Sequence, residues 1–168
     1  MTVKEAIGGR RSIRTYKPEA VSEELLLQVL EAGRLSPSAA NEQNWRFILA
    51  RDADVKEKLF HASHDQPSVN EAPAAIVVCA TSSREMSCGE QTGVVDGSCA
   101  IISMLLQAHE LGLGTCWLGH FDADAVRAAL GIPAEVEVVG FFPIGYPAEA
   151  PEARPRKDFA EVVSFDKY

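Results

Sequence analysis

Arg10, Arg11 and Arg14 stand together near the start of the chain, and Arg154, Arg156 and Lys157 near its end. If the segment RRSIR is extended after Gly9, alternation places Arg10, Ser12 and Arg14 on one side and turns Ile13 away. Two guanidinium forks with a hydroxyl between them make a phosphate cradle, although the same residues would also suit a solvated basic turn. The chain carries a net charge of −8 and a sequence pI near 5.0. Nucleic acid is therefore not expected as the main partner, and two basic clusters on an acidic chain point to a local anion site for one phosphate.

Two further segments carry possible chemistry. SPSAANEQNW (Ser36 to Trp45) is small and polar; its size lets a flat ligand approach the backbone, and Asn41 and Gln43 offer amide donors and acceptors. Such residues also populate ordinary loops. GLGTCWLGHFD (Gly112 to Asp122) places glycines around a strand that leads to a helix start, where backbone N–H groups suit an electron-rich atom; a glycine stop followed by a strand is its plainer reading. His61, His64 and Asp65 read as a polar helix end rather than a metal site, and His109 as a helix residue without chemistry. Trp117 reads as core. Cys79, Cys99 and Cys116 lie in apolar stretches and read as buried free thiols, suited to a reducing cytoplasm. Nothing near Cys88 or Cys116 in sequence would lower a thiol pKa. No Ser–His–Asp pattern or Walker motif occurs.

The elements that must position these residues are legible from pattern. Thr2 and Glu5 form a capping box for a short helix ended by Gly8 and Gly9. A second helix runs from after Ser22 to about Leu35, then a strand from Trp45 to Arg51 and a helix from Asp54 to Ala62. Ala74 to Ala80 is an unbroken apolar run, expected to be a central strand buried on both faces. Ser82 to Gln91 reads as a loop. The helix from about Val95 to Leu111 is apolar on nearly all sides and is expected to lie in the core. A short strand covers Thr115 to Leu118, a helix capped by Asp122 ends at Gly131, and Val136 to Ile144 is the last strand. Helices outnumber strands without alternating cleanly, so the fold class is α+β in one domain, residues 1–168. The segment 146–168 has few apolar residues and is expected to pack on another subunit. No apolar run reaches the roughly 20 residues that span a bilayer, and no signal peptide is read, so a cytoplasmic protein is expected.

Taken in order, RRSIRTY, SPSAANEQNWRFI, APAAIVVCA, DGSCAIISMLLQAHELGLGTCWLG, LGIP, GYP and RPRKDFAEVV resemble the FMN-dependent nitroreductase family over nearly the whole chain. The resemblance implies a nitroreductase-like fold with a central mixed β-sheet flanked by helices, in an intertwined homodimer with FMN at the subunit interface. Arg10, Arg11 and Ser12 match the segment that holds the FMN phosphate, and Arg154 and Arg156 the basic pair that completes it. Arg14 matches the cation near the flavin N1/O2 edge, where it favours the reduced state. Pro37, Ser38 and Ala39 match a loop that reaches the flavin from the partner subunit, followed by Asn41; Gln43 is the more structural position. Asn70 matches an asparagine at the pyrimidine edge. Leu118, Gly119 and His120 match the stretch whose backbone approaches flavin N5. No side chain acts as a nucleophile and no metal is implied.

The resemblance implies reduction of nitroaromatic, quinone or related small acceptors through flavin N5 in a two-step exchange, with NADH or NADPH as reductant and no membrane or nucleic-acid partner. Three departures stand out. Asn44 occupies a position where the family often has Pro, Ser103 one where it often has Asn, and the stretch between Ala80 and Asp96 is short. Larger members cover the flavin there, which opens alternatives: a flavin-binding redox module, or a flavoenzyme with another donor and a different reaction such as flavin fragmentation or enone or semialdehyde reduction.

Overall fold

In the computed structural model, which describes residues 1–168, the apolar run forms β2 (Ala74–Ala80), and all seven of its residues are buried. A strand with no polar face needs cover on both sides and partners on both edges. β1 (Trp45–Ala50) pairs antiparallel along one edge, from Trp45 opposite Ala80 to Ala50 opposite Ala75. β4 (Glu137–Gly145) pairs antiparallel along the other, with a bulge between Val78 and Cys79. β3 (Gly114–Thr115) joins the outer edge of β4, so the strand order is β1-β2-β4-β3. The three ladders are antiparallel; the parallel component of the expected mixed sheet is one bridge, Ser12 to Thr115.

Alternation along β2 builds two cores. Ile76 and Val78 face Phe142 and Ile144, and α2 (Glu23–Arg34) and α5 (Thr92–Glu110) cover them with Leu26, Val29, Ile101, Met104 and Leu105. Ala75, Val77 and Cys79 face Phe141, and α3 (Ala53–Ala62) and α6 (Ala123–Leu130) cover them with Leu59 and Val126. Helix ends follow the local signals. Thr2 and Glu5 complete a capping box on α1 (Val3–Gly9), and Ser22, Asp52 and Asp122 accept N–H groups of the first turns of α2, α3 and α6; such caps contribute about 1 kcal/mol each. Gly131 closes α6 at φ 64.

Three expectations change. α5 begins at Thr92, one turn earlier than its apolar pattern suggests, and it is not buried all round: Val94, Val95 and Ile102 remain about two-fifths exposed. The strand expected over Thr115 to Leu118 is shorter, because only Gly114 and Thr115 pair continuously and Leu118 makes a single bridge to Phe141. The segment after Gly145 is also not wholly detached. Lys17 N–H donates to Tyr146 O and Ala148 N–H to Thr15 O, both at 2.9 Å, so its first residues pair with Thr15 to Lys17 of the same chain. Beyond Pro151 it is exposed apart from Val163, and α7 (Phe159–Val162) buries none of its residues. The helix α4 (Pro67–Glu71), opened by a proline, precedes β2.

Candidate functional site

The sheet edge fixes the basic segment. Ile13 N–H donates to Thr115 O at 2.9 Å, and Ile13 is buried with Tyr16 and Ala72. The approach is close enough that a Cβ on Gly114 would sit 2.8 Å from Ile13 Cγ2, so glycine is required there. Tyr16 donates its hydroxyl to Ile13 O at 2.6 Å, and burial holds its phenol well above its ordinary pKa, so it stays a donor. With Ile13 turned inward, Arg10, Ser12 and Arg14 reach the other side, as alternation requires.

The C-terminal arm then brings the second basic cluster to the first. Arg10, Arg11, Ser12, Arg14, Arg154 and Arg156 line one cleft of about 160 Å³, together with Pro151 and Glu152. None of the five arginines is in an ion pair. Arg11 Nη1 donates to the carbonyls of Gly8, Gly9 and Arg10 and so closes the end of α1, while Arg156 donates to Arg154 O and Pro155 O and Arg14, at 3.4 Å, to Ser12 O. Glu149, which the sequence reading did not single out, accepts the backbone N–H groups of both Arg14 and Thr15. Its carboxylate thus fixes the basic strand through the main chain and pairs with none of the guanidinium groups. Nothing in the sequence marks it out, since the arm also carries Glu152, Asp158, Glu161 and Asp166.

Behind this strand a second cavity of about 360 Å³ is lined by Arg10, Arg11, Ile13, His109 and Glu149, among others. His109 sits against Gly9, where an added Cβ would lie 2.7 Å from its Nε2. Burial, then the charges of Arg10 and Arg11, hold its imidazole below the ordinary histidine pKa.

The remaining candidates lie elsewhere. Neither cavity lined by Arg10 and Arg11 includes Pro37, Ser38, Ala39 or Asn41. That loop contains a single 3₁₀ turn, Ala39–Asn41, and holds Ala40, Asn41 and Gln43 at φ between 51 and 56. Three non-glycine residues in the left-handed region need an anchor. Asp96 provides it, accepting Ala39 N–H at 3.0 Å, while Ser38 Oγ accepts Gln43 N–H at 3.1 Å. Asp96 is 4% exposed, and its Oδ2 has no partner within the chain. An acid in the first half of α5, followed by an apolar run, is the sequence signal for it. Asn70 lies exposed on α4. Leu118 is buried and its N–H donates to Phe141 O, whereas Gly119 and His120 are exposed. Nothing lies within 4 Å of a Cβ built on Gly119, so the backbone there is open to a ligand.

The thiols are free; Cys79 and Cys116 are buried, and burial pushes the Cys79 thiol up to about 11. No three His, Cys, Asp or Glu side chains are grouped to hold a metal ion. No helix is long and apolar enough to cross a membrane.

The model of the Nitroreductase family matches residues 7–91 and 65–146. The chain is 40% identical over 158 residues to a "Putative NADH dehydrogenase/NAD(P)H nitroreductase" of Methanothermobacter thermautotrophicus, covering 92% of this chain and 82% of that protein. It is 29% identical over 172 residues to the FMN reductase [NAD(P)H] of Bacillus subtilis, covering 92% and 69%. A crystal structure of a nitroreductase family protein from Clostridium difficile 630 superposes with a TM-score of 0.89 at 30% identity, covering all of both chains. NfrA1 of B. megaterium superposes with a TM-score of 0.91 at 25% identity, covering 99% and 74%.

Proposed function

The chain belongs to the nitroreductase family, and from that premise we propose that it is an FMN-dependent NAD(P)H oxidoreductase acting on small organic acceptors such as quinones and nitroaromatics. The observation that carries the reading is the cleft in which five arginines without acid partners and the Ser12 hydroxyl converge from opposite ends of the chain. A phosphate dianion suits that donor set, since guanidinium forks bond phosphate oxygens in pairs.

FMN, when bound, supplies hydride transfer at N5; the chain supplies position and charge. Arg10, Ser12, Arg154 and Arg156 hold the phosphate end. Arg14, fixed through its backbone by Glu149, sets a positive charge beside the pyrimidine edge. From Thr115, which bridges to Ser12, the chain runs to the open backbone of Gly119, four residues on, a segment that can reach at most roughly 13 Å. Gly119 and His120 then face N5 with backbone groups, and Asn70 flanks the ring.

The ring is completed in a homodimer. Val94, Val95 and Ile102 on α5, Val3 and Ile7 on α1, and Phe159, Val162 and Phe165 in the arm are exposed apolar side chains that a second copy would cover. Pro37 to Asn41 then reaches the partner's flavin, and residues 152–168 wrap the partner. Removing everything after Pro151 keeps the pairing of 146–148 with 15–17 but takes away Arg154, Arg156 and the apolar arm. It is expected to weaken both dimer and flavin retention, read by analytical ultracentrifugation and by flavin absorbance.

The direct test is an anaerobic absorbance titration of the FMN-loaded protein. Bleaching within seconds by NADH or NADPH, followed by recolouring with a quinone or nitroarene, is the expected result. Flavin that ignores both nicotinamides would overturn the donor assignment. A protein that takes up no FMN would overturn the whole reading.

A further inference from the structure

A groove of about 490 Å³ runs between α3 and α6, outside the arginine cleft. Its floor is alanine, from Ala62, Ala125, Ala128 and Ala129, and its rim carries Lys58, His61, His64 and Asp122. That size and mix of apolar floor and few polar groups fall within the range of small-molecule sites. The walls are tied together, since Asp122 N–H donates to Ala62 O at 2.8 Å.

The charges of the rim are unevenly spent. Asp122 accepts the N–H groups of Asp124 and Ala125, and Asp65 is paired with His61 at 2.7 Å. Lys58 is in no ion pair, and the rings of His64 and His120 bond to no other side chain. Lys58 is therefore the one ammonium group lining the groove, and no acid holds it, on a chain of net −8. The two free imidazoles touch each other, with ring centroids 4.3 Å apart, and this contact joins the groove to the segment Gly119–His120. One ligand would meet, in sequence, an open backbone at Gly119, a pair of aromatic rings, an alanine floor and an ammonium group.

We propose that this groove binds the adenosine-phosphate half of the dinucleotide donor, the base lying against His64 and the alanine floor and a phosphate meeting Lys58. The inference rests on the donor reading above, in which a reduced nicotinamide delivers hydride to flavin N5 beside Gly119 and His120. Nucleobases stack on aromatic and imidazole rings without needing a hydrogen-bond code, and a lysine is a point-charge partner for phosphate.

ADP-ribose, which has the adenosine half but cannot donate hydride, separates the two claims. The chain has four histidines, His61, His64, His109 and His120, so their ring protons are resolvable by NMR in the FMN-loaded protein. Millimolar ADP-ribose is expected to shift His64 and His120 and to leave His109 in place. Lys58→Glu, an exposed position without a partner, is expected to weaken that binding about fivefold or more and to raise KM for NADPH by a similar factor. FMN affinity, kcat, and KM for reduced nicotinamide mononucleotide, which lacks the adenosine half, should not change. His64→Gly, which suits the left-handed backbone at that residue (φ 56), should lose the same contact without straining the fold. Unmoved His64 and His120 signals would overturn the proposal. So would a Lys58→Glu variant whose KM rises equally for the mononucleotide. If NADPH fails to bleach the flavin while ADP-ribose still shifts both rings, the donor reading falls and the groove stands as an adenosine-phosphate site.

Discussion

The two regions assigned to the flavin differ in how far one chain completes them. The arginine cleft is assembled within a single copy: β3 holds Arg10 to Arg14, the arm is paired to Thr15 and Lys17, and the arginines of both basic clusters face one space. The loop from Pro37 to Gln43 stands apart from it, with three residues in the left-handed region and an anchoring carboxylate half of whose oxygens are unpartnered. A charged phosphate site tolerates solvent and needs only converging cations. A site for a flat ring needs walls, and this chain offers one wall in a strained, pre-set shape that lies outside both arginine-lined cavities. On the reading proposed above, the phosphate end belongs to the protomer and the ring end to the pair.

The largest expected effect breaks the first region. Arg10→Ala with Arg156→Ala removes two charge-assisted contacts, each worth about 1.5–3 kcal/mol before solvent screening. FMN affinity is expected to fall on the order of 100-fold, with riboflavin, which has no phosphate, nearly unaffected. Fluorescence titration with both ligands reads the ratio, and equal losses would remove the phosphate assignment.

A smaller effect tests the second region. Asp96→Ala frees Ala39 N–H from its acceptor and lets the strained turn relax. Because this loop is assigned to the ring, FMN and riboflavin affinities should fall together, by about tenfold for one hydrogen bond to a charged acceptor. The ratio between the two ligands should stay at its original value. A loss confined to FMN would mean that the loop acts on the phosphate end, contradicting the contrast drawn above.

The same contrast marks what could be read from sequence. Capped helices, the apolar β2 and the basic clusters declare themselves locally, because a capping box, an unbroken apolar run or an arginine triplet needs no knowledge of neighbours. Glu149 acts through the backbone of residues more than a hundred positions away, so its role exists only once the arm is folded back. α4 is five residues long, too short to show periodicity, and the 3₁₀ turn at Ala39–Asn41 is held by a side chain from α5. The exposed face of α5 departs from its pattern because, in sequence, an apolar residue left on the surface looks the same as one in the core. The groove between α3 and α6 was invisible for a similar reason: Ala125, Ala128 and Ala129 read as ordinary helix filler until Ala62 and His64 are set against them.

The smallest effect sharpens the comparison from behind the cleft. His109 shares a cavity with Arg10 and Arg11, and burial together with those two charges lowers its pKa. In the free protein the unfolded chain therefore accepts a proton, near the ordinary histidine value of about 6.5, that the folded chain still refuses. Stability should fall as pH drops from about 6.5 to the lowered folded value, and this contribution should level off below it. A phosphate dianion in the cleft would offset the repulsion from Arg10, so FMN binding should raise the His109 pKa and narrow that window. Riboflavin should leave it unchanged. An NMR titration of the His109 ring, with each ligand in turn, separates a phosphate held beside Arg10 from a flavin held only by its ring: an equal response to both would place the phosphate away from this strand.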